Sequence, residues 1–276
     1  MIAKPRFASL NRAHPISKGI VGAWPMIEGS ATIIRDVAGK RLDATVSSGT
    51  PSMTQTKYGR ALDQDSTADT MTAPDFVNFT FLKDGGGDSK ASLLAVFKVD
   101  SLAANGTLIA KDAFSGAREW SFWYLSTGAI RLSFYGGSST NSIQRESATG
   151  AVVTNKWYVG IATYDGSATT GGIKTFLNGL RVDTTDVTGG SYTSTADTTR
   201  EVGIGSFADG NIGIVGKLAN AVIWYNRELT INEIRQLTVD PFLMYRKRQY
   251  GVIGKAPAAG FGGLLSTKRN RLVLGD

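Results

Sequence analysis

KWYVGIATYDGSATTGGIKTFLNGLRVD, residues 156–183, decides the fold. Trp157–Tyr164 is a run of apolar and small residues stopped by Asp165-Gly166. That pair favours a turn, because Asp bonds to nearby backbone and Gly adopts positive φ freely. A second run, 172–178, ends at Asn178-Gly179, the strongest hairpin signal in the chain. Both residues tolerate the φ > 0 that a type I′ turn requires, so the pair should join Ile173–Leu177 to 180–183. Two short runs and two tight turns in so little chain read as antiparallel sheet.

The same pattern extends in both directions. Short apolar stretches broken by Gly, Ser, Thr and Asp predict strands over 20–26, 60–64, 90–99, 107–111, 119–126, 129–135, 200–206 and 215–225. Alternation is clearest in Trp120/Phe122/Tyr124 and Ile130/Leu132/Phe134, whose members share a sheet face. Ser126-Thr127-Gly128 between those runs predicts a hairpin. One helix stands out, from Ile231 to about Thr238. Thr230 and Glu233 have capping-box spacing, Ile231, Ile234 and Leu237 share a face, and Asp240-Pro241 ends it.

Composition narrows the chemistry. The 276 residues include 33 Gly, no Cys and one His, which removes disulfides, thiolate nucleophiles, zinc ribbons and His-rich metal sites. The net charge of +7 is unevenly placed. Residues 1–18 carry +4, residues 246–276 carry +6, and the stretch between them carries −3. Basic ends of this kind anchor a protein on an acidic partner, or are simply solvated, more readily than they read nucleic acid, and the aromatic interleaving of a single-strand groove is thin here. The N-terminus has no apolar run of signal-peptide length, and no segment reaches membrane-span length, so neither a leader nor a membrane role is expected.

Several segments, taken in order, point to a family. They are Lys18-Gly19-Ile20-Val21-Gly22-Ala23-Trp24 with Glu28-Gly29-Ser30, Arg35-Asp36-Val37-Ala38-Gly39, and Tyr58-Gly59-Arg60-Ala61-Leu62-Asp63. Lys156 to Gly166, Phe176-Leu177-Asn178-Gly179 and Ile223-Trp224-Tyr225-Asn226-Arg227-Glu228-Leu229-Thr230 with Glu233-Ile234 complete the set. Over about 18–245 the chain resembles the LamG-like (laminin-G-like) jelly rolls of the concanavalin A-like superfamily. The ending Asp240-Pro241-Phe242 with its basic run is most similar to copies encoded by tailed bacteriophages, which occur in capsid decoration, head-fibre and tail proteins. The superfamily also holds lectins, carbohydrate-binding modules and glycanases, so fold alone does not choose a function.

The resemblance implies an all-β fold: a concanavalin A-like jelly-roll β-sandwich with one short C-terminal helix and extended terminal arms. The expected division is a basic arm at 1–17, the jelly roll at 18–245 and a basic Gly/Ala-rich arm at 246–276. Trp24, Trp157 and Trp224 match core positions of the family.

Departures from the family limit the chemistry. The loop 63–70 loses the aromatics, the Gly and one acid of the family pattern, and Ala219-Asn220-Ala221-Val222 lacks both carboxylates of the equivalent strand. Asp65, Asp69, Asp112 and Asn220 are left as oxygen donors for the family's Ca²⁺, which wants six to eight; the expectation is no cofactor and no metal, with Ca²⁺ as the alternative. The six Glu, at 28, 119, 146, 201, 228 and 233, form none of the E-x-D-x-E patterns of a jelly-roll glycanase. The tightest acidic group, Asp63/Asp65/Asp69, reads as a polar turn, and His14 beside Pro15 is poorly placed for a base.

No catalytic residue is therefore expected. The sequence reads as a non-enzymatic bacteriophage virion protein, a capsid decoration or head-fibre protein made in the host cytoplasm and displayed on the particle. Its partners would be the major capsid or other virion proteins and further copies of itself, docked through Arg246, Lys247, Arg248, Tyr250, Phe261, Lys268 and Arg269. The alternative is an adhesin module for host-surface glycans, contacted by Trp123 and Tyr135. A glycanase is the residual reading.

Overall fold

Residues 4–5, 9–83, 86–113 and 116–245 are described by the computed structural model. The alternating runs become seventeen strands among these residues. In chain order they are β1 (Ile20–Trp24), β2 (Ile33–Ile34), β3 (Ala44–Ser48), β4 (Ser52–Thr56), β5 (Gly59–Gln64) and β6 (Thr70–Ala73). Next come β7 (Ala91–Val99), β8 (Gly106–Lys111), β9 (Arg118–Tyr124), β10 (Ile130–Gly137), β11 (Ser142–Ser147) and β12 (Trp157–Tyr164). The last are β13 (Ile173–Leu177), β14 (Leu180–Arg181), β15 (Asp183–Gly189), β16 (Val202–Ile204) and β17 (Gly216–Tyr225), and the chain then enters helix α1 (Ile231–Val239). Each run predicted from sequence lies on a strand, and α1 carries its capping box, with Thr230 and Glu233 satisfying each other's backbone N–H.

The strands form two antiparallel sheets. The eight-stranded sheet runs β14-β13-β12-β7-β17-β5-β4, with β1 also beside β17; the nine-stranded sheet runs β15-β11-β10-β9-β8-β16-β6-β3-β2. Their facing sides make the main core, where Leu93, Phe97, Tyr158 and Tyr164 of one sheet meet Trp120, Phe122 and Phe134 of the other. The rings of Phe134 and Tyr164 lie 4.3 Å apart across this interface. The expected sandwich is thus observed. The turn at 178–179 has φ of 50° and 81°, as type I′ geometry demands.

The eight-stranded sheet is buried on its other face too. Leu94, Val96, Val159, Ile161, Val222 and Trp224 point outward into a second core closed by Ile234 and Leu237 of α1, by Phe242, Met244 and Tyr245, and by Ile16. This double burial explains the near-continuous apolar runs of β7, β12 and β17, since neither parity of residue meets water.

Residues 9–17, which belong to the basic arm expected at 1–17, lie on this second core. Ile16 is buried, the Trp224 indole donates to Ile16 O at 2.7 Å, and Arg227 Nη1 donates to Pro15 O at 2.8 Å. Asn11 N donates to Met244 O at 2.8 Å, so the two ends of the described chain meet. The docking residues Arg246, Lys247, Arg248, Tyr250, Phe261, Lys268 and Arg269 lie outside the described residues.

Gly160 on β12 lies in a crowded part of the core, where an added Cβ would sit 2.9 Å from Cε1 of Phe97 on the neighbouring β7 and 3.4 Å from Cζ of Phe122 on the facing sheet. Gly160→Val should therefore wedge the sandwich and destabilise it by about 1–3 kcal/mol, read as a lower urea midpoint; an unchanged midpoint would contradict this account of the core.

Candidate functional site

The outer face of the nine-stranded sheet is where the sequence-predicted contact residues land. Since Trp120, Phe122 and Tyr124 face the core, Trp123 and Ser121 face outward on β9, and so do Arg131, Ser133 and Tyr135 on β10. Register builds rows across the strands. Trp123 pairs with Arg131 and Arg131 with Glu146, while Ser121 pairs with Ser133 and Ser133 with Gln144.

These rows are hydrogen-bonded into one polar network. Arg131 Nε donates to Glu146 Oε2 at 2.8 Å and its Nη1 to Gln144 Oε1 at 3.0 Å. The Trp123 indole donates to Ser133 Oγ at 3.1 Å, Ser133 Oγ to Gln144 Oε1 at 3.2 Å, and Gln144 Nε2 to Ser142 Oγ at 2.9 Å. Beside it, Arg118 grips Asp112 with two hydrogen bonds of 2.8 Å.

Trp123, expected as a glycan contact, faces outward, but only 8% of it is accessible, because the Arg131 guanidinium lies 5.3 Å over its ring and Phe207 packs at 6.3 Å. Tyr135 is 1% accessible, with the Arg118 guanidinium 4.0 Å over its ring. Arg118, Arg131 and Glu146 are half-buried and meet solvent on this face. Sequence reasoning passed over all three. The signal for Arg131 was the alternation itself, since it occupies the outward parity of its run; Arg118 shares the parity of Trp120 and lies beyond a register shift at Phe134/Gly137, which local alternation does not encode.

At the end of the same strands lies a buried ion pair. Lys111 Nζ donates to Glu119 Oε1 at 2.7 Å, Thr80 Oγ1 at 2.8 Å and Thr198 O at 2.9 Å, and Asp75 Oδ1 lies 3.0 Å away. Glu119 Oε1 also accepts from Thr198 N at 2.7 Å. The cluster fastens the 190–201 crossover to the sheet. Its signal was a lysine closing one apolar run and a glutamate opening the next.

The remaining oxygen donors are engaged elsewhere. Asp69 accepts from Thr50 N, Asp65 N and Ser66 N, and Asn220 is held between Pro241 O and the Tyr245 hydroxyl. Among the described residues no group of three His, Cys, Asp or Glu is placed to hold a metal ion, and no helix is long and apolar enough to cross a membrane. Asp63, of the acidic loop, pairs with Lys217 at 2.9 Å.

Comparison with known proteins agrees with the fold. A family model described as the concanavalin A-like lectin/glucanases superfamily matches residues 65–235. Solved structures resemble the chain at low identity. The binding domain of botulinum neurotoxin DC in complex with SialylT has a TM-score of 0.57 at 12% identity, covering 81% of this chain and 52% of that one. A structure of botulinum neurotoxin type C, described by its cell entry through two ganglioside molecules, gives 0.57 at 13%, covering 83% and 52%. Trypanosoma rangeli sialidase in complex with sialic acid gives 0.53 at 16%, covering 82% and 33%. The chain thus spans about half of the neurotoxin chains and a third of the sialidase. No curated protein sequence matches it.

Burial acts on the two acids of the face. It pushes Asp112 up from 3.8 to about 6 against the opposing pull of Arg118, and Glu119 up from 4.5 to about 6 against Lys111. The folded chain then holds protons that the unfolded chain has released, so these groups make stability fall as pH rises from about 4 to about 6. In Asp112→Asn, the slope of unfolding free energy against pH should become less negative over that window; an unchanged slope would show that Asp112 does not titrate there.

Proposed function

The chain belongs to the concanavalin A-like lectin/glucanase superfamily, and from that footing we propose that it is a non-enzymatic binding module that holds glycans on the outer face of its nine-stranded sheet. The observation that carries this reading is the row Trp123–Arg131–Glu146 with Gln144 beside it, fixed by register and by its own hydrogen bonds. A sugar offers vicinal hydroxyls, which planar guanidinium, carboxylate and amide groups engage in pairs. Arg131 and Glu146 supply the first two at the surface, held in place by the buried Gln144 and Trp123. Preorganisation of this kind lowers the ordering cost of binding. The complexes with SialylT and sialic acid in structures of similar fold favour the same ligand class.

Binding is favoured over hydrolysis by the state of the acids. Glycan hydrolysis needs two carboxyl groups free to act on opposite sides of the scissile bond. Here Glu146 is committed to Arg131, Asp112 to Arg118 and Glu119 to Lys111.

A second reading concerns where the module is carried. The charge segregation, +6 in residues 246–276 against −3 in the central stretch, favours attachment of a virion structural protein, a capsid decoration or head-fibre protein, to an acidic capsid surface. The meeting of Asn11 and Met244 on the covered sheet suits display, since the glycan face belongs to the other sheet.

On a glycan array the full chain should give discrete positives, and Arg131→Ala should weaken them at least about tenfold by removing a charged hydrogen-bond donor. An array without positives would sink the glycan reading. Deletion of residues 246–276 should leave a folded domain that no longer enters particles; undiminished incorporation would sink the anchoring role.

A further inference from the structure

The nine-stranded sheet has a seam at β16. This strand has three residues, and it meets β6 through two registered residue pairs and β8 through two more. Those few pairs join β6, β3 and β2 to the rest of their sheet. The Lys111 cluster spans the seam, because Lys111 closes β8 and Asp75 lies just past the end of β6. We propose that Lys111 and Asp75 condense spontaneously into an intramolecular isopeptide bond, with Glu119 as the proton relay.

An ammonium has three N–H groups to give. Those of Lys111 go to Glu119 Oε1 at 2.7 Å, Thr80 Oγ1 at 2.8 Å and Thr198 O at 2.9 Å. Asp75 Oδ1 is a fourth oxygen, 3.0 Å from Nζ, with no N–H left to meet it. Condensation resolves this crowding. The fourth contact becomes a covalent bond, and the single N–H that remains serves Glu119.

Burial supplies the reactive forms. The Lys111 and Glu119 side chains are fully enclosed. In so dry a place two neutral groups compete with an ion pair, and the neutral amine is the nucleophile. Glu119 is suited to take the proton: its Oε2 is buried without a hydrogen-bond partner. Burial also pushes its carboxyl up to about 6. Asp75 stands 35% accessible at the mouth of the cluster, which gives the released water an exit. Local structure holds the pieces in register for reaction. The Trp120 indole donates to Phe79 O at 2.6 Å beside Thr80, and Thr198 N donates to Glu119 Oε1 at 2.7 Å.

Glu119 takes one proton from the Lys111 ammonium, and the free amine attacks Asp75 Cγ. A second Nζ proton and the one held by Glu119 leave with one Asp75 oxygen as water. The Nζ–Cγ bond forms, one Cγ–O bond breaks, and no electron is gained or lost. Glu119 ends as it began. The product ties β8 to the end of β6 across the seam, and it shortens the unfolded chain's free loop as a disulfide does.

Intact-mass spectrometry of the full chain, folded at neutral pH and then denatured, is the test. The wild type should be lighter than its sequence by one water, and a digest should give a branched peptide that joins the segments around Asp75 and Lys111. Asp75→Ala, a change at a partly exposed side chain, should fold and show its full mass. Asp75→Asn should condense with loss of ammonia in place of water, a deficit that an ion pair cannot produce. Glu119→Gln should slow condensation at least about tenfold, read as full-mass chain that persists after folding. The proposal is overturned by a folded wild type of full mass. It is equally overturned by a deficit that persists in Asp75→Ala, the mark of dehydration elsewhere, as at Asp165-Gly166; unslowed condensation in Glu119→Gln would overturn the relay.

Discussion

The eight-stranded sheet is apolar on both faces, and most of the architecture answers that constraint. One face is covered by the nine-stranded sheet, whose Phe122 crowds Gly160 from across the interface. The other has no second sheet available, so the chain covers it with the segment before β1 and the segment after β17. Trp224 and Arg227 tie the leading segment down through the carbonyls of Pro15 and Ile16. α1 and residues 242–245 close the rest. The nine-stranded sheet's outer face has a thinner cover, the 190–201 crossover and Phe207, and it is lined with Ser, Gln, Arg and Glu. The nine-residue α1 is also short, which leaves Thr163 and Lys174 at the margin of the second core.

The same constraint explains what could be read in advance. Doubly buried strands such as β7, β12 and β17 announce themselves as apolar runs, and their turns carry Asn, Asp and Gly for stereochemical reasons. The strands that escaped notice are polar on at least one face: β4 reads Ser-Met-Thr-Gln-Thr, and β15 reads Asp-Thr-Thr-Asp-Val-Thr-Gly. They are strands because a neighbour offers its backbone, and a neighbour distant in sequence leaves no local trace. The functional face divides the same way. Parity placed Trp123 outward, but the Arg131 that covers it lies across a hairpin and Phe207 comes from a remote loop. Burial of an outward residue is a tertiary property that alternation does not encode.

Acidic residues are sparse in this chain, and several of the buried ones hold loops. Asp36 accepts from the backbone N–H of Ala23, Ala38, Lys40 and Leu42, which accounts for the Arg35-Asp36 motif as a turn clamp. Asp69 gathers three backbone donors in the loop that opens β6. Asp88 accepts from the hydroxyls of Tyr164 and Tyr192 at 2.5 and 2.7 Å and from Thr195 N, and these contacts, with burial first, push both phenols well above their usual range. Carboxylates saturated by donors in this way can be buried without a cation.

The hydrogen bond from Asn11 to Met244 sets two points far apart in sequence side by side on the covered sheet. A body whose flanking points lie together can be spliced into a surface turn of another protein without prying that turn apart. A pull applied between residues 11 and 244 would load that one contact and leave the sandwich itself unstretched.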